Sequence, residues 1–506
     1  MSLDLFGGRR LKMGIWGLGR GSAFVNCARA LDIDIVAGCD FNDIVRNKFH
    51  EICPEAVLTD NEDEFFKMDF EAVLVSTFCT NHAQDTIKAL KMGKHVLSEI
   101  TAFFTPAQGV ELVEAAEAGE KKGLVYNLAE NAPFTKLNMY LARLYRQGIF
   151  GELAYAEFDY VHGGSSPIAT YLGGDPVVPG NQLHHWRGWL NYHYYCTHSL
   201  GPIMTISGLR PEKVTAFPED VFCKGTVHGK GRKVDGIVPN LCAFAPSLIQ
   251  MSNGSVVRNL MGGSVSDSHQ ERFFGTKAAY DGKYLHIGGA ERGPRLEIDP
   301  QWDAMGQEAE KAGHGGSDFW ELYYFARQII TGEKAPWDIY AASDVTLAGI
   351  QALRSAMSEG EPMEIPDFRK KEIRDRYRND NWMAKHIDPA KIFPDDQDTS
   401  ITNDFAAASK ELTPCLLLVR SALEGMKVYD ALKRESKFAV IEKVKELRVK
   451  LPEIQKAYGR IRRIMDAYPE SQGGVSIRER LELGEEKRIM DTENLLKELD
   501  SFLINA

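Results

Sequence analysis

The sequence predicts an α/β Rossmann domain, then an α+β domain with a large open, mostly antiparallel sheet, and an additional C-terminal helical region. Three observations support this. Apolar strands alternate with helices over residues 11–127, longer segments of alternating polarity begin near residue 153, and the last hundred residues have almost purely helical periodicity. The predicted parts are a Rossmann domain (1–130), a second sheet domain (131–368), a linker (369–401) and a helical extension (402–506).

The first domain is predicted from apolar strands separated by helices, an order that forms βαβ units with parallel strands and right-handed crossovers. Its predicted strands are Leu11–Trp16, Ile33–Cys39, Ala72–Ser76, His95–Ser98 and Leu124–Asn127, and its predicted helices are Ser22–Ala30, His82–Met92 and Pro106–Gly119.

The second domain is predicted from strands of alternating polarity, which suit an antiparallel sheet with one solvated face. These strands are Leu153–Val161, Lys213–Phe217, Val256–Met261 and Arg272–Gly275, followed by helices Asp318–Gly332 and Ala341–Glu359. The charged, proline-containing stretch after residue 368 is typical of a linker. The three amphipathic helices beyond it predict a small bundle or an antiparallel hairpin.

Composition excludes several classes of protein. The chain has 506 residues with 44% hydrophobic and 26% charged side chains, as is usual for globular proteins of two or three domains. Its formal net charge of -11 argues against nucleic-acid binding, which requires a basic face. No apolar run is long enough for a membrane span, and no secretion signal precedes residue 11. We expect a cytoplasmic protein that binds neither membranes nor nucleic acid.

The eight cysteines form no Cys-x-x-Cys pair, so we expect reduced, mostly buried thiols rather than disulfides or zinc ligands. The nearby histidines at 184, 185, 193 and 198 have no cysteine or carboxylate at ligand spacing beside them, and we expect no metal site there.

A glycine-rich turn follows the first strand at residues 17–22 (Gly-Leu-Gly-Arg-Gly-Ser). Such a turn between strand and helix lets a diphosphate approach the backbone and face the helix N-terminus. The third small residue of the pattern falls on Ser22, which is small enough for helix–strand packing. Asp40, at the end of the second strand, is placed to accept bonds from ribose hydroxyls and favours NAD over NADP. Asn42 and Arg46 leave that choice open.

Two segments resemble the Gfo/Idh/MocA oxidoreductase family. They are residues 77–82 (Thr-Phe-Cys-Thr-Asn-His) and residues 93–99 (Gly-Lys-His-Val-Leu-Ser-Glu). The resemblance implies a nicotinamide dinucleotide cofactor. The family's Glu-Lys-Pro triplet is Glu-Ile-Thr at residues 99–101, so its lysine is missing here.

Within that family, the chain is most similar to the NAD-dependent glycoside hydrolases of the α-N-acetylgalactosaminidase type, which also lack the lysine. The resemblance spans residues 11–368 and rests on 185–187 (His-Trp-Arg), 194–202 (Tyr-Tyr-Cys-Thr-His-Ser-Leu-Gly-Pro), 314–316 (His-Gly-Gly), 337–340 (Trp-Asp-Ile-Tyr) and 365–368 (Ile-Pro-Asp-Phe).

The resemblance implies specific site residues. Catalytic roles fall on Tyr195 and His198, from a Tyr-x-x-His pattern before a Leu-Gly-Pro turn, and on Glu130 after the last Rossmann strand. The expected cofactor-binding residues are Gly17, Leu18, Gly19, Arg20, Gly21, Ser22, Asp40, Thr77, Asn81, His82 and Glu99. The expected substrate-binding residues are His185, Trp186, Arg187 and Tyr194.

The residue types suit alcohol oxidation. An imidazole titrates near neutral pH, so His198 is a natural base for a hydroxyl proton. Tyr195, one helical turn away, could remove the proton next to a newly formed ketone. A Tyr–His pair at this spacing is also common in cores, and Glu130 could instead cap the following helix.

Three functions remain open. The leading hypothesis is a nicotinamide-dependent enzyme that transfers hydride from a sugar, polyol or glycoside to NAD. The first alternative is a redox-neutral glycosidase acting by oxidation, elimination, water addition and reduction. The second is a non-catalytic NAD-binding assembly protein. In each case we expect a homo-oligomer, with contacts through the helical extension.

Overall fold

A computed structural model describes residues 6–163, 191–218, 244–264, 267–288, 293–383, 399–467 and 484–506, together with the isolated residues 469, 478 and 481. The described residues form two compact units. The first contains both sheets and extends to residue 384, and the described part of the second is helical.

The first sheet has six strands, all parallel, in the order β3-β2-β1-β4-β5-β6. This is the strand order of a dinucleotide-binding Rossmann fold, and the prediction of that fold is confirmed. The strands are β1 (Leu11–Trp16), β2 (Ile33–Cys39), β3 (Val57–Thr59), β4 (Ala72–Val75), β5 (His95–Glu99) and β6 (Tyr126–Ala129).

Helices connect these strands. The sequence prediction placed a turn at the glycine motif, but the chain is already helical from Leu18, because Gly17 alone makes the left-handed bend with φ 95°. The helical segments are Leu18–Gly21, Val25–Ala30, Asp43–Ile52, Glu62–Phe65, His82–Lys91, Pro106–Glu120 and Lys136–Arg146, with 3-10 turns at Ser22–Phe24 and Ala132–Phe134.

The second sheet has nine strands among the described residues, in the order β14-β13-β12-β11-β7-β10-β9-β8-β15. Every neighbouring pair is antiparallel except β7 and β10, so the predicted open, mostly antiparallel sheet is confirmed. The strands are β7 (Leu153–Gly163), β8 (Pro211–Ala216), β9 (Phe244–Met251), β10 (Val256–Ser264), β11 (Glu271–Gly275), β12 (Ala278–Tyr280), β13 (Tyr284–Ile287), β14 (Arg295–Glu297) and β15 (Met363–Glu364).

Further helices join the second sheet to the first. They include Tyr192–Tyr195 (3-10), Thr197–Ser207, Ala304–Ala309, His314–Gly316 (3-10), Ser317–Thr331, Ile339–Met357, Lys371–Arg374 and Asp375–Tyr377 (3-10). The backbone of Trp337 accepts a hydrogen bond from Leu128 of the edge strand β6. The two sheets are therefore parts of one compact unit.

The predicted linker 369–401 is wrong in its first half. Residues 369–383 pack on the helix Pro106–Glu120, where Arg374 binds Glu117 at 2.6 Å and Asp380 accepts the amide of Ala107. Ion pairs with that helix allow a charged stretch to be ordered, which composition alone does not reveal.

The C-terminal region forms a helical unit around a shared apolar core. Leu447, Leu451, Ile454, Tyr458 and Ile461 line one face of the long central helix and are almost completely buried. Burial of such a face drives helix association. The helices are Thr399–Val428, Arg434–Ala467, Glu486–Met490 and Thr492–Asn505, with a 3-10 turn at Tyr429–Ala431.

The described cysteines are reduced thiols: Cys27, Cys39, Cys53, Cys79 and Cys196 are buried, and Cys415 is partly buried. Among the described residues, none of the helices has both the length and the apolar character that crossing a bilayer demands.

Candidate active site

The carboxyl ends of the parallel strands bring most of the predicted residues to one edge of the first sheet. The glycine turn follows β1, Asp40 follows β2, Thr77 follows β4, Glu99 ends β5 and Glu130 follows β6. In a parallel sheet these ends form the crevice where ligands bind. The topology therefore gathers residues that are up to about a hundred positions apart in sequence.

The glycine turn is shaped by close backbone packing. A Cβ on Gly17 would lie 2.2 Å from the carbonyl oxygen of Ser76, and one on Gly21 would lie 2.3 Å from the side chain of Ile15. A Cβ on Gly19 would meet nothing within 4 Å. Gly21 thus provides the helix–strand packing that we predicted for Ser22, whose hydroxyl instead bonds to the Gly19 carbonyl. Gly19 leaves open space on the side where a diphosphate would approach.

Asp40 is joined to the glycine turn. Its carboxylate accepts the backbone N–H of Leu18 at 2.9 Å and that of Asn42 at 2.9 Å. Arg46 donates to the Asp40 carbonyl at 2.7 Å. Burial raises the pKa of Asp40, partly offset by these two backbone hydrogen bonds. The side chain remains partly exposed, so its remaining lone pairs can accept from a ribose.

The loops after β4 and β5 are connected by His82. Its buried ring lies 3.1 Å from the carbonyl oxygens of both Thr77 and Thr101. Burial lowers its pKa to about 4, so the ring is neutral at physiological pH and donates to one carbonyl. The Thr77 hydroxyl bonds to Asp85, and Asn81 is exposed just before the helix His82–Lys91. His82 therefore supports the crevice rather than entering it.

Glu130 and His198 form a buried pair. The Nδ1 atom of His198 lies 2.7 Å from Oε1 of Glu130, which also accepts the amide of Ala132. Glu130 is completely buried and His198 is 8% exposed. A carboxylate at Nδ1 sets the tautomer, because Nδ1–H then donates and Nε2 carries the lone pair. Nε2 is therefore the ring nitrogen of His198 that can accept from a ligand.

The backbone around His198 is helical. The Leu-Gly-Pro segment, predicted as a turn, lies inside the helix Thr197–Ser207. Pro202 lies inside that helix, where it has no backbone N–H to donate to the preceding turn. A Cβ on Gly201 would lie 3.3 Å from Cγ of Glu130, so this glycine allows the helix to approach the glutamate closely.

Tyr195 packs edge-on against His198, with ring centroids 4.7 Å apart and an interplanar angle of 83°. The ring centroid of Tyr160, from β7, lies 4.6 Å from that of His198, and the ring centroid of His269 lies 4.9 Å from that of Tyr160. The sequence analysis missed Tyr160 and His269, because they come from the second sheet and no local motif marks them. The structure places an aromatic wall beside the Glu130–His198 pair.

Tyr194, predicted to bind substrate, is corrected to a packing residue. It is 2% exposed, its ring stacks on Phe104 at 4.5 Å, and its hydroxyl donates to the Phe104 carbonyl. Adjacent residues of a 3-10 turn point in different directions, so only Tyr195 faces the histidine. The other predicted substrate residues, His185, Trp186 and Arg187, lie outside the described residues.

The side chain of Arg20 turns inward from the glycine turn. It binds Asp318 in a bidentate pair at 2.8 and 2.9 Å, and its Nε lies 2.8 Å from Glu99. Burial would raise the pKa of Asp318, but hydrogen bonds from His314 and Arg20 outweigh it and hold that pKa well below its usual range. Arg20 and Glu99 therefore act on each other rather than presenting free charges to a ligand.

Glu321 adds a third carboxyl group to this cluster. It is buried 3.9 Å from Arg20, and neither of its oxygens has a hydrogen-bond partner among the described residues. Burial and then repulsion by Asp318 and Glu99 raise its pKa well above the ordinary value. Burial likewise raises the pKa of Glu99, although Arg20 opposes the shift.

Asp318 is the residue of this buried cluster that the sequence analysis most clearly missed. It appeared there only as the start of a helix, which an aspartate often occupies for capping reasons. The His-Gly-Gly motif at 314–316 was noticed but given no role. Its proximity to Asp318 was the available clue.

Comparison with known proteins agrees with this geometry. Residues 298–375 match the sequence profile described as Glycosyl hydrolase 109, C-terminal domain. A "Glycosyl hydrolase family 109 protein" from Shewanella pealeana is 24% identical over 399 residues, covering 71% of this chain and 85% of the relative. The chain is similar to the family 109 glycosyl hydrolases, and the resemblance indicated by the sequence motifs is therefore confirmed.

Solved structures share the fold. A levoglucosan dehydrogenase in complex with NADH and levoglucosan superimposes with a TM-score of 0.56 at 16% identity, covering 71% of this chain and all of that one. An oxidoreductase from Agrobacterium radiobacter in complex with NAD+, L-tartaric acid and magnesium gives 0.54 at 14% identity, covering 70% and 98%. These likenesses show that the chain shares the fold of these proteins.

The residues present fit a nicotinamide dinucleotide. Gly17 makes the left-handed bend, Gly19 leaves its outer side open, and Asp40 carries a partly exposed carboxylate joined to the same turn. A side chain on Gly19 would occupy the space that the diphosphate needs. These three residues would hold the diphosphate and the adenosine ribose.

Proposed function

We propose that this chain is a nicotinamide-dependent enzyme that oxidises a hydroxyl group of a sugar, polyol or glycoside. The observation that carries the proposal is the Glu130–His198 pair, 2.7 Å apart, at the same sheet edge as the glycine turn. A bound nicotinamide dinucleotide supplies the hydride acceptor. The protein must then supply a base for the hydroxyl proton.

His198 is that base. Its Nδ1–H is held by Glu130, so Nε2 takes the hydroxyl proton as the C–H bond breaks and the carbonyl forms. The buried carboxylate of Glu130 stabilises the imidazolium that results. The aromatic side chains of Tyr160 and Tyr195 exclude water from one side and offer flat faces for a sugar ring.

A second candidate is redox-neutral cleavage of a glycoside, favoured by Tyr195 beside His198 and by the family 109 relatives. After oxidation, the C–H next to the new ketone becomes acidic. Tyr195 in its phenolate form would accept that proton while the glycosidic C–O bond breaks, and the leaving oxygen would take up a proton and depart as an alcohol. Water then adds to the double bond and the ketone is reduced again, which leaves the cofactor unchanged overall.

One experiment separates the two candidates. The purified protein is incubated with NAD+ and either free sugars or nitrophenyl glycosides, in ordinary and heavy water. Net dehydrogenation accumulates NADH in proportion to product. Redox-neutral cleavage releases nitrophenol without net NADH and incorporates deuterium beside the oxidised carbon.

Substitutions test the assigned residues. His198→Asn keeps a donor for Glu130 but removes Nε2, and we expect kcat to fall about 10²–10⁴-fold, the usual contribution of a general base. Tyr195→Phe should abolish glycoside cleavage, whereas Tyr194→Phe, its buried neighbour, should retain activity. If neither of the first two variants changed any activity, a non-catalytic NAD-binding role would replace this proposal.

We also propose NAD rather than NADP as the cofactor. The Asp40 carboxylate at the ribose position would repel a 2′-phosphate. Arg46, which could otherwise attract that phosphate, donates a hydrogen bond to the backbone carbonyl of Asp40. Titration calorimetry with both nucleotides tests the preference. Tighter binding of NADP+ than NAD+ would reverse it.

A homo-oligomer in the cytoplasm remains our proposal for the state of the protein. The buried free thiols suit a reducing compartment. Because residues 369–383 pack on the first unit, a test truncation belongs near residue 384 rather than 369. Light scattering should then show fewer protomers in each assembly, and an unchanged number of protomers would exclude the helical extension as its interface.

A further inference from the structure

His314 belongs to a second histidine–carboxylate pair that the proposed chemistry leaves unused. Its Nδ1 lies 3.0 and 3.1 Å from the two carboxylate oxygens of Asp318. The same carboxylate accepts from Arg20 of the glycine turn and, at 3.1 Å, from Asn131. Asn131 directly follows Glu130. One carboxylate therefore connects His314, the cofactor turn and the catalytic loop.

The backbone around His314 is built for this placement. His314, Gly315 and Gly316 adopt consecutive positive φ angles of 53°, 63° and 99°. A Cβ on Gly313 would lie 2.5 Å from the Asp318 carboxylate. A positive φ is uncommon for a residue other than glycine, and of these three residues His314 is the one that is not glycine. Such a conformation persists where surrounding contacts enforce it. Here the hydrogen bond to Asp318 holds the ring.

The ring faces outward as well as inward. The His314 side chain is 50% exposed, while Asp318 is completely buried. In the tautomer whose Nδ1–H donates to Asp318, Nε2 is an acceptor, and it has no partner among the described residues. The neighbouring cation, Arg20, is already paired with Asp318 and Glu99. Surroundings of this charge disfavour a phosphate and suit a neutral hydroxyl donor.

We propose that His314, oriented by Asp318, is a cofactor-contact residue whose Nε2 accepts a hydrogen bond from a ribose hydroxyl of the bound dinucleotide. The inference rests on the dinucleotide site proposed above. Asp318 acts as the positioning residue, because it fixes both the ring of His314 and the side chain of Arg20.

The test compares the dissociation constant of NAD+ in three proteins by titration calorimetry. His314→Asn tolerates positive φ and still donates to Asp318, but lacks Nε2, so affinity should fall about fivefold to tenfold, as for one lost hydrogen bond. The control is His286→Asn. His286 lies on strand β13, is also partly exposed, and also pairs with an aspartate, Asp281. It should bind like the unaltered protein.

Each outcome is decisive. Unchanged affinity in His314→Asn overturns the contact while leaving the proposed function intact. An unaltered protein that fails to bind NAD+ overturns both. If His314→Asn unfolds at a lower temperature than the control, its weaker binding could come from lost stability. The proposed contact between His314 and the ribose hydroxyl is then tested in the unaltered protein. With histidine-selective labelling, the ¹⁵N resonance of His314 Nε2 should shift on adding NAD+, and an unmoved resonance overturns the contact.

Discussion

At the scale of single residues, a histidine's function here depends on what holds its other ring nitrogen. His198 is held at Nδ1 by Glu130 and His314 at Nδ1 by Asp318, whereas the buried ring of His82 lies between two backbone carbonyls. The sequence predicts that Tyr195 and His198 lie together, because they and the following helix form a local pattern, and their rings are in contact. It does not separate Tyr194 from Tyr195, since only packing against Phe104 decides which ring is buried.

Glu321 yields a residue-scale prediction about pH. Its raised pKa means that the folded protein binds a proton that the unfolded chain has released, so the free energy of unfolding falls as pH rises above the ordinary value of 4.5. We expect Glu321→Gln, which removes the titration, to be more stable than the unaltered protein at about pH 8, with the gain vanishing near the ordinary glutamate value.

Thermal unfolding midpoints across this pH range provide the measurement. Glu308→Gln is the control, because Glu308 is partly exposed and pairs with Lys311 at the surface. A gain for Glu321→Gln that is equal at all pH values would contradict the assignment of a buried, protonated carboxyl group.

At the scale of elements, regular periodicity made the first sheet predictable. The predicted bounds of β1 and β2 agree with the structure, and β4 and β5 differ by one residue at one end. The prediction of β6 is displaced by two residues, because apolar residues continue before the strand begins and only pairing with β5 sets its register. The short edge strand β3 was missed, since three residues carry little periodicity.

The glycine turn gives an element-scale prediction that separates folding from binding. Gly21→Ala places a Cβ 2.3 Å from Ile15 and should destabilise the protein by about 1–3 kcal/mol, the usual cost of overpacking. Gly19→Ala meets nothing within 4 Å, so its stability should stay within about 0.5 kcal/mol. We expect it nevertheless to weaken NAD+ binding.

Denaturant unfolding and calorimetric NAD+ titration on the two variants check this contrast. Each variant serves as the other's control, because both add one methyl group to the same turn. Full NAD+ affinity in Gly19→Ala would show that the diphosphate does not approach this side of the turn.

At the scale of the whole molecule, the chain divides into a unit with both sheets and a helical unit with its own apolar core. Units with separate cores can unfold separately. We expect two thermal transitions in calorimetry, of which NAD+ raises only that of the first unit, because a ligand stabilises only the unit that binds it.

Leu451→Ala identifies the other transition. Leu451 is 1% exposed in the core of the helical unit, so this variant should lower that transition by an amount corresponding to about 2–5 kcal/mol and leave the NAD+-sensitive one unchanged. The matched substitution Val449→Ala, at a position 75% exposed on the same helix, should change neither. A single transition that moves with both NAD+ and Leu451→Ala would contradict independent units.

The sequence by itself determined the fold class, the glycine turn with Asp40, and the Tyr195–His198 pattern. Each is encoded by residues within a few turns or strands of one another, where periodicity and turn chemistry act. Only the tertiary structure decided that Arg20 turns inward to Asp318, 298 positions away, that Gly21 rather than Ser22 packs on β1, and that residues 369–383 are ordered. Those outcomes depend on which distant surfaces meet when the chain is compact, and no local pattern records such contacts.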